Sequence, residues 1–244
     1  MSKTAPELPT IDVEEFRKVV HTRRSIRRFT PEPIPDAVLQ DCLDLALLSP
    51  NSSNLQPWEF HRVVDPERRA NVVRACLNQN AAKTAAELLI VVARTDTWQR
   101  HCEENIARWP EPSVPRIVEN YYRRAAKVHY GRLPLDPFGV VKKTLSKLSG
   151  LRRPMPRWPN SDADMDLWAT KTAALGAQTL MLALRAHGYD SCPMEGFDEA
   201  RLRRAVPLPR KGVIVMVIGA GRRAENGVYH DRYRFPRERF IHEH

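Results

Sequence analysis

The chain is poor in cysteine, and the few it has form no pattern. Cys42, Cys76, Cys102 and Cys192 make no CxxC pair and no disulfide framework, which argues against a stapled secreted fold and fits a reducing cytoplasm. A long uninterrupted apolar run is also missing. The most apolar stretch, Ala163 to Ala186, is broken by Asp166, Lys171 and Gln178, so no membrane span is expected. The opening Met1-Ser-Lys-Thr-Ala-Pro-Glu has no apolar core, and no secretory signal is expected from it. The eight histidines show no HExxH or other ligand spacing. There is no internal repeat and no recognisable nucleic-acid module.

What is present is the composition of an ordinary globular protein. Of 244 residues, 42% are apolar and 28% charged, enough for one sizeable core and one domain over 1–244. The formal net charge is +10. Such an excess could serve nucleic acid, an anionic membrane surface or a phosphorylated ligand. Much of it lies between Arg123 and Arg157 and at the two ends of the chain, and for the middle stretch a solvated basic face is sufficient.

Periodicity gives the elements. Asp12-Val-Glu-Glu15 reads as a capping box opening a helix through Phe16, Val19 and Val20 to about Thr22. Asp36 reads as the cap of a second helix carrying Val38, Leu39, Cys42, Leu45 and Ala46. A short strand is expected over Phe60–Val64 and a helix over Pro66–Ala82. Leu88 to Val92 and Val213 to Ile218 are apolar runs of strand length, the first expected to be buried on both faces. Prolines recur from Pro110 to Pro159, so about 96–160 reads as a lid-like insertion. A long helix from Asp162 to His187, closed by Gly188, is apolar nearly all round and reads as buried and central. The last 25 residues should run over the surface. Strands separated by long helices predict an α+β layered sheet covered by helices, with strand order left open.

Four polar clusters remain to be explained. The first is Arg23-Arg24-Ser25-Ile26-Arg27-Arg28. Arginines at a helix end complement its dipole, yet four around one serine would also suit a phosphate. The second, Ser49-Pro50-Asn51-Ser52-Ser53-Asn54-Leu55-Gln56-Pro57-Trp58, is either a common Asn/Ser turn or a set of short donors for a ligand's polar edge. The third, Cys192-Pro193-Met194-Glu195-Gly196-Phe197-Asp198, is an ordinary turn or a place where backbone approaches a flat ligand. The fourth is Pro236-Arg237-Glu238-Arg239-Phe240, where extended chain would put both arginines on one face.

Taken in this order, the clusters resemble the nitroreductase family of FMN-dependent enzymes over roughly 12–95 and 160–244. The resemblance implies an α/β/α sandwich with a central mixed or antiparallel sheet, built as a homodimer. It implies bound FMN with NADH or NADPH as hydride donor, and a nitroaromatic, quinone or similar small acceptor reduced with ping-pong kinetics. It places Arg23, Ser25, Arg237 and Arg239 around the FMN phosphate, with Arg24 in the same cluster, and Arg27 near the N1–O2 edge. Pro193 would pack on one ring face, and the amides of Glu195 and Gly196 would meet N5 and O4. Asn78 corresponds to a contact on the pyrimidine side. Pro50, Asn51, Ser52 and Asn54 would reach the flavin of the other subunit. A cation beside N1 favours reduced flavin, and no side chain is required as acid or nucleophile.

Two motifs are set aside. Gly219-Ala-Gly221-Arg-Arg-Ala224 matches a dinucleotide fingerprint, but too little non-helical chain follows to complete the unit. His101-Cys102-Glu103-Glu104 offers ligand types that cannot all face one ion on a helix. Other flavin chemistry on the same framework (reductive dehalogenation, dehydrogenation), a non-catalytic flavin-binding regulator, and a nucleic-acid binder stand as alternatives.

Overall fold

A computed structural model describes residues 9–131, 154 and 158–244. Four strands, β1 (Trp58–Arg62), β2 (Glu87–Arg94), β3 (Asp190–Met194) and β4 (Gly212–Gly221), form one sheet in the order β1-β2-β4-β3. Every pairing is antiparallel, which resolves the strand order left open by the sequence. The alternating faces of β2 explain the three layers. Leu89, Val91 and Ala93 enter one core with α2 (Asp36–Leu47), α5 (Trp98–Ala107) and α8 (Asp162–Ala186). Leu88, Ile90 and Val92 enter the other with α3 (Pro66–Ala75), α4 (Asn80–Thr84) and α9 (Glu199–Ala205). Residue 215 is skipped in the β2–β4 register. This bulge flips the alternation of β4, so Ile214 and Val217 share one face while Ile218 and Ala220 take the other.

Two of the helix starts follow the sequence. Asp12 accepts from the Glu14 amide at 2.8 Å and opens α1 (Val13–Thr22), but the expected capping box is not made, because the Glu15 carboxylate pairs with Lys18 instead. Ser161 and Asp164 form a reciprocal capping box on α8. At its other end Gly188 has φ +84°, with bonds from Gly188 N to Arg185 O and Tyr189 N to Leu184 O, the two-bond stop that favours glycine. Gly176 lets α8 approach the sheet: a Cβ there would lie 3.1 Å from the Phe60 ring. On α2, Asp36 is the first helical residue and Pro35 the cap, a shift of one from the expected cap.

Three elements differ from expectation. The first strand is Trp58–Arg62 rather than 60–64. The expected helix 66–82 breaks into α3 and α4, because Leu77 and Asn78 both adopt positive φ, 56° and 55°. The 192–198 cluster is half strand, since its first three residues complete β3. Of the segment read as lid-like, the part within the described residues forms α5, α6 (Arg116–Asn120), a π-helical turn Tyr121–Ala125 and α7 (Ala126–Tyr130). Its Cys102, Tyr122, Ala126 and Tyr130 are buried in the same core as β2 and α8. Residues 132–153 and 155–157 lie outside the described residues. Gly219 and Gly221 lie inside β4, where a Cβ on Gly219 would meet the Ala81 carbonyl at 2.7 Å. Gly219 thus serves the packing of α4, while a Cβ on Gly221 would lie 3.2 Å from Ala86 N and from Phe29. No helix among the described residues is long and apolar enough to cross a membrane.

Candidate cofactor site

The edge strand β3 organises the first cluster. Ile26 N donates to Ser191 O at 3.1 Å, and Ser25 bridges Ser191 in parallel sense. The chain after α1 therefore runs along the open edge of the sheet. Pro193 lies two residues on, with its nitrogen on that same outer side, where a missing N–H costs no ladder bond. The strand ends into Glu195 and Gly196, both exposed.

Beside this edge lies a cleft of about 410 Å³ lined by Arg23, Arg24, Ser25, Arg27, Val228, Tyr229, His230, Arg232, Tyr233 and Arg234. The tail folds back over the end of α1 through Arg24 to His230 O at 2.5 Å and through Arg232 to Arg23 O. Arg27 N donates to Gly227 O at 2.7 Å and pins the turn before it. A Cβ on Gly227 would come within 2.7 Å of the Arg28 carbonyl. Five arginines thus converge, and among the described residues none of them is ion-paired to a carboxylate. Burial, followed by repulsion from Arg232 and Arg234, holds Arg23 below its usual pKa. Concentrated, unneutralised positive charge with a serine hydroxyl among it fits a phosphate dianion.

The sequence placed Arg23, Arg24, Ser25 and Arg27 here, and the structure brings all four together. Arg237 and Arg239 are elsewhere. They form an exposed 3₁₀ turn, and the Arg239 guanidinium lies 4.7 Å over the Phe235 ring. Arg232-Tyr233-Arg234 supplies the same basic-x-Arg spacing five residues earlier and lies in the cleft. The signal was present in the sequence; two identical patterns competed, and only the path of the tail separates them.

Asn78 shows a similar offset. It lines a different groove, with Arg69, Arg74 and Lys83. The left-handed pair Leu77–Asn78 turns the next two residues toward the cleft side instead. Gln79 Nε2 donates to Gly196 O at 2.8 Å, and Asn80 Nδ2 to the Tyr229 hydroxyl at 3.1 Å. The bond from Asn80, with Arg28 and Arg27 nearby, holds the Tyr229 phenol below its usual pKa. Gln79 and Asn80 were missed because no spacing rule reveals a break inside an apparently continuous helix, and Tyr229 because the path of the tail brings it to the cleft.

The loop Pro50–Asn54 is not part of this cleft within one chain. It lies by α5 and α7, where Asn54 and Gln56 help line a larger cavity of about 670 Å³ with Trp58, His101, Asn105 and Tyr122. That cavity shares no lining residue with the arginine cleft. Ser53, Asn54 and Gln56 have φ of 59°, 49° and 42°, conformations that non-glycine residues keep only when held.

The four cysteines are buried, and burial raises Cys42, Cys76 and Cys102 to about 11. No metal-binding group of His, Cys, Asp and Glu occurs among the described residues.

Comparison with known proteins agrees with this architecture. The family model described as Nitroreductase family matches residues 20–222. An NADH dehydrogenase of Thermus thermophilus is 28% identical over 232 residues, covering 95% of this chain and 97% of that protein. A nitroreductase family protein from Streptococcus pneumoniae superposes with a TM-score of 0.69 at 18% identity, covering 96% of this chain and all of that one. A structure from Exiguobacterium sibiricum solved in complex with FMN gives a TM-score of 0.65 at 21% identity, with both chains covered completely. The sheet order, the helices on both faces and a family match across most of the chain lead to one assignment: the protein belongs to the nitroreductase family.

Proposed function

We propose that the protein is an FMN-dependent NAD(P)H oxidoreductase that reduces a nitroaromatic, quinone or similar small acceptor. The observation that carries this reading is the cleft of five arginines without a carboxylate, set against the Glu195–Gly196 end of β3. Arg23, Ser25, Arg232 and Arg234 would hold the FMN phosphate. Each charge-assisted bond contributes about 1.5–3 kcal/mol, so several together hold a dianion firmly. Arg27 would lie at the N1–O2 edge, where its cation favours the reduced form. The amides of Glu195 and Gly196 would meet N5 and O4, and Pro193 would back the ring. The Gln79 bond to Gly196 O holds that turn in place. FMN, when bound, supplies the two-electron chemistry. The protein's own residues bind, orient and tune, and hydride donor and acceptor use one site in turn, giving ping-pong kinetics.

The functional unit in this reading is a homodimer. The Pro50–Asn54 loop is remote from the arginine cleft of its own chain, so it serves the flavin of a second chain. Apolar surface supports a partner of this kind. Phe16 and Val20 of α1, Leu167 and Leu175 of α8, and Phe235, Phe240 and Ile241 of the tail are all exposed, more than solvent alone favours.

The purified protein should be yellow with about one FMN per chain, one for each arginine-lined cleft. Chromatography of heat-released cofactor identifies it, and NADPH or NADH oxidation with a quinone or nitroarene tests turnover. Protein that stays colourless through FMN titration contradicts the assignment.

A further inference from the structure

The loop Ser52–Gln56 carries more hydrogen bonds than a surface turn requires, and most of those made by side chains come from α5 and the π-turn–α7 segment. Tyr130 OH bonds Ser52 Oγ at 3.0 Å and Ser53 Oγ at 2.9 Å, and Tyr121 OH also reaches Ser53 Oγ. Tyr122 OH donates to Ser53 O at 3.0 Å. Asn105 clamps Asn54 from both sides: its Nδ2 donates to Asn54 O at 2.9 Å and its Oδ1 accepts from Asn54 Nδ2 at 2.7 Å. His101 Nδ1 lies 2.6 Å from Leu55 O. These bonds fall on two of the loop's three residues with positive φ, Ser53 and Asn54, and on the flanking Ser52 and Leu55; the third, Gln56, is held from Asn51 within the loop.

The gripping groups are themselves fixed. Tyr130 is 1% exposed, with its ring between Trp98 and Trp168 at centroid distances of 6.1 and 4.9 Å. Tyr121 and Tyr122 open the π-helical turn, a local irregularity that often marks function. There, two successive tyrosine hydroxyls reach the same serine. A buried phenol whose hydroxyl meets two serines, one of them (Ser53) in a left-handed backbone conformation, points to positioning, because a core tyrosine needs only one partner.

We propose that Tyr130, Tyr122 and Asn105 are positioning residues that lock the Ser52–Asn54 loop in the conformation that receives the flavin of a second chain. The proposal rests on the reading of that loop given above. It assigns a role to the segment that carries no cofactor motif of its own. In this account α5 to α7 set the shape of half a binding site by hydrogen bonding from behind it.

The test uses mixed dimers of full-length chains carrying different affinity tags, titrated with FMN by flavin fluorescence. Arg23→Glu disables the cleft of its own chain, leaving one site made of the second chain's arginines and the first chain's loop. Tyr130→Phe keeps the buried ring and removes only the hydroxyl. Placed on the Arg23→Glu chain, Tyr130→Phe should raise the Kd of the surviving site about tenfold, the scale of one or two lost hydrogen bonds. Placed on the other chain, it should leave that site unchanged. Tyr122→Phe should show the same asymmetry and serves if Tyr130→Phe does not fold. Equal weakening in both arrangements would mean a general packing defect, and no weakening in either would mean the hydroxyls are idle; each overturns the proposal. FMN binding by the Arg23→Glu homodimer as tight as wild type would instead remove the cofactor assignment beneath it.

Discussion

Two groups of arginines meet at the end of α1, and they are built in opposite ways. At the start of β3, Asp190 is buried with its side chain 1% exposed, taking Arg185 at 3.0 Å and Arg223 at 2.6 and 2.7 Å. Arg223 also donates to Thr22 O at 3.3 Å. One residue further along, Arg232 caps Arg23 O, and five arginines gather with no carboxylate among them. The first group is closed around a buried carboxylate that both arginines share. The second is open, and its excess charge has no internal owner. In the proposed reading, the same residue type next to the same helix end separates arginines used for the fold's own stability from arginines kept for a ligand.

That contrast predicts a double dissociation. Replacing Arg232 and Arg234 together by Ala should weaken FMN by about a hundredfold or more, on the scale of two charge-assisted bonds. Apoprotein stability should stay nearly level, because relief of the repulsion on Arg23 offsets the lost bond from Arg232 to Arg23 O. Titration with FMN and thermal unfolding of the apoprotein check both halves. Asp190→Asn should do the reverse, destabilising the fold by about 3 kcal/mol, reduced somewhat because Arg223 is 38% exposed. Urea unfolding reads this directly, and FMN affinity of the folded fraction should change little. The smallest effect is expected at the exposed pair: Arg237→Ala with Arg239→Ala should leave FMN affinity within about a factor of two, as for surface substitutions. A large loss there would move the phosphate site back to the tail's last turn.

Much of this was legible in the sequence where local chemistry is decisive. Caps and breakers placed α1 and α8 nearly to the residue, and the apolar runs read as strands became β2, buried through its middle, and β4, half-buried at Val213, Val215 and Met216. The Arg23–Arg27 cluster and the Glu195–Gly196 turn were legible as polar excess in otherwise regular surroundings. What failed depended on tertiary path. Arg232/Arg234 and Arg237/Arg239 share one pattern, and the choice is made by Arg24 and Arg232 tying the tail across α1. The Leu77–Asn78 break is invisible to periodicity because Leu77 favours helix; packing of α4 on Gly219 overrides it. β3 is short, contains a proline, and exists only because β4 and the Ser25 segment flank it.

The most direct test of the central claim, that the open arginines are kept for a phosphate, compares FMN with riboflavin on the Arg232→Ala/Arg234→Ala protein. Riboflavin carries the same ring and lacks the phosphate, so its affinity should be nearly the same for wild type and variant while FMN loses about a hundredfold. The two ligands should then bind the variant with similar strength. Equal losses for both ligands, or no loss for FMN, would contradict the account and leave the cleft's charge without the role given to it here.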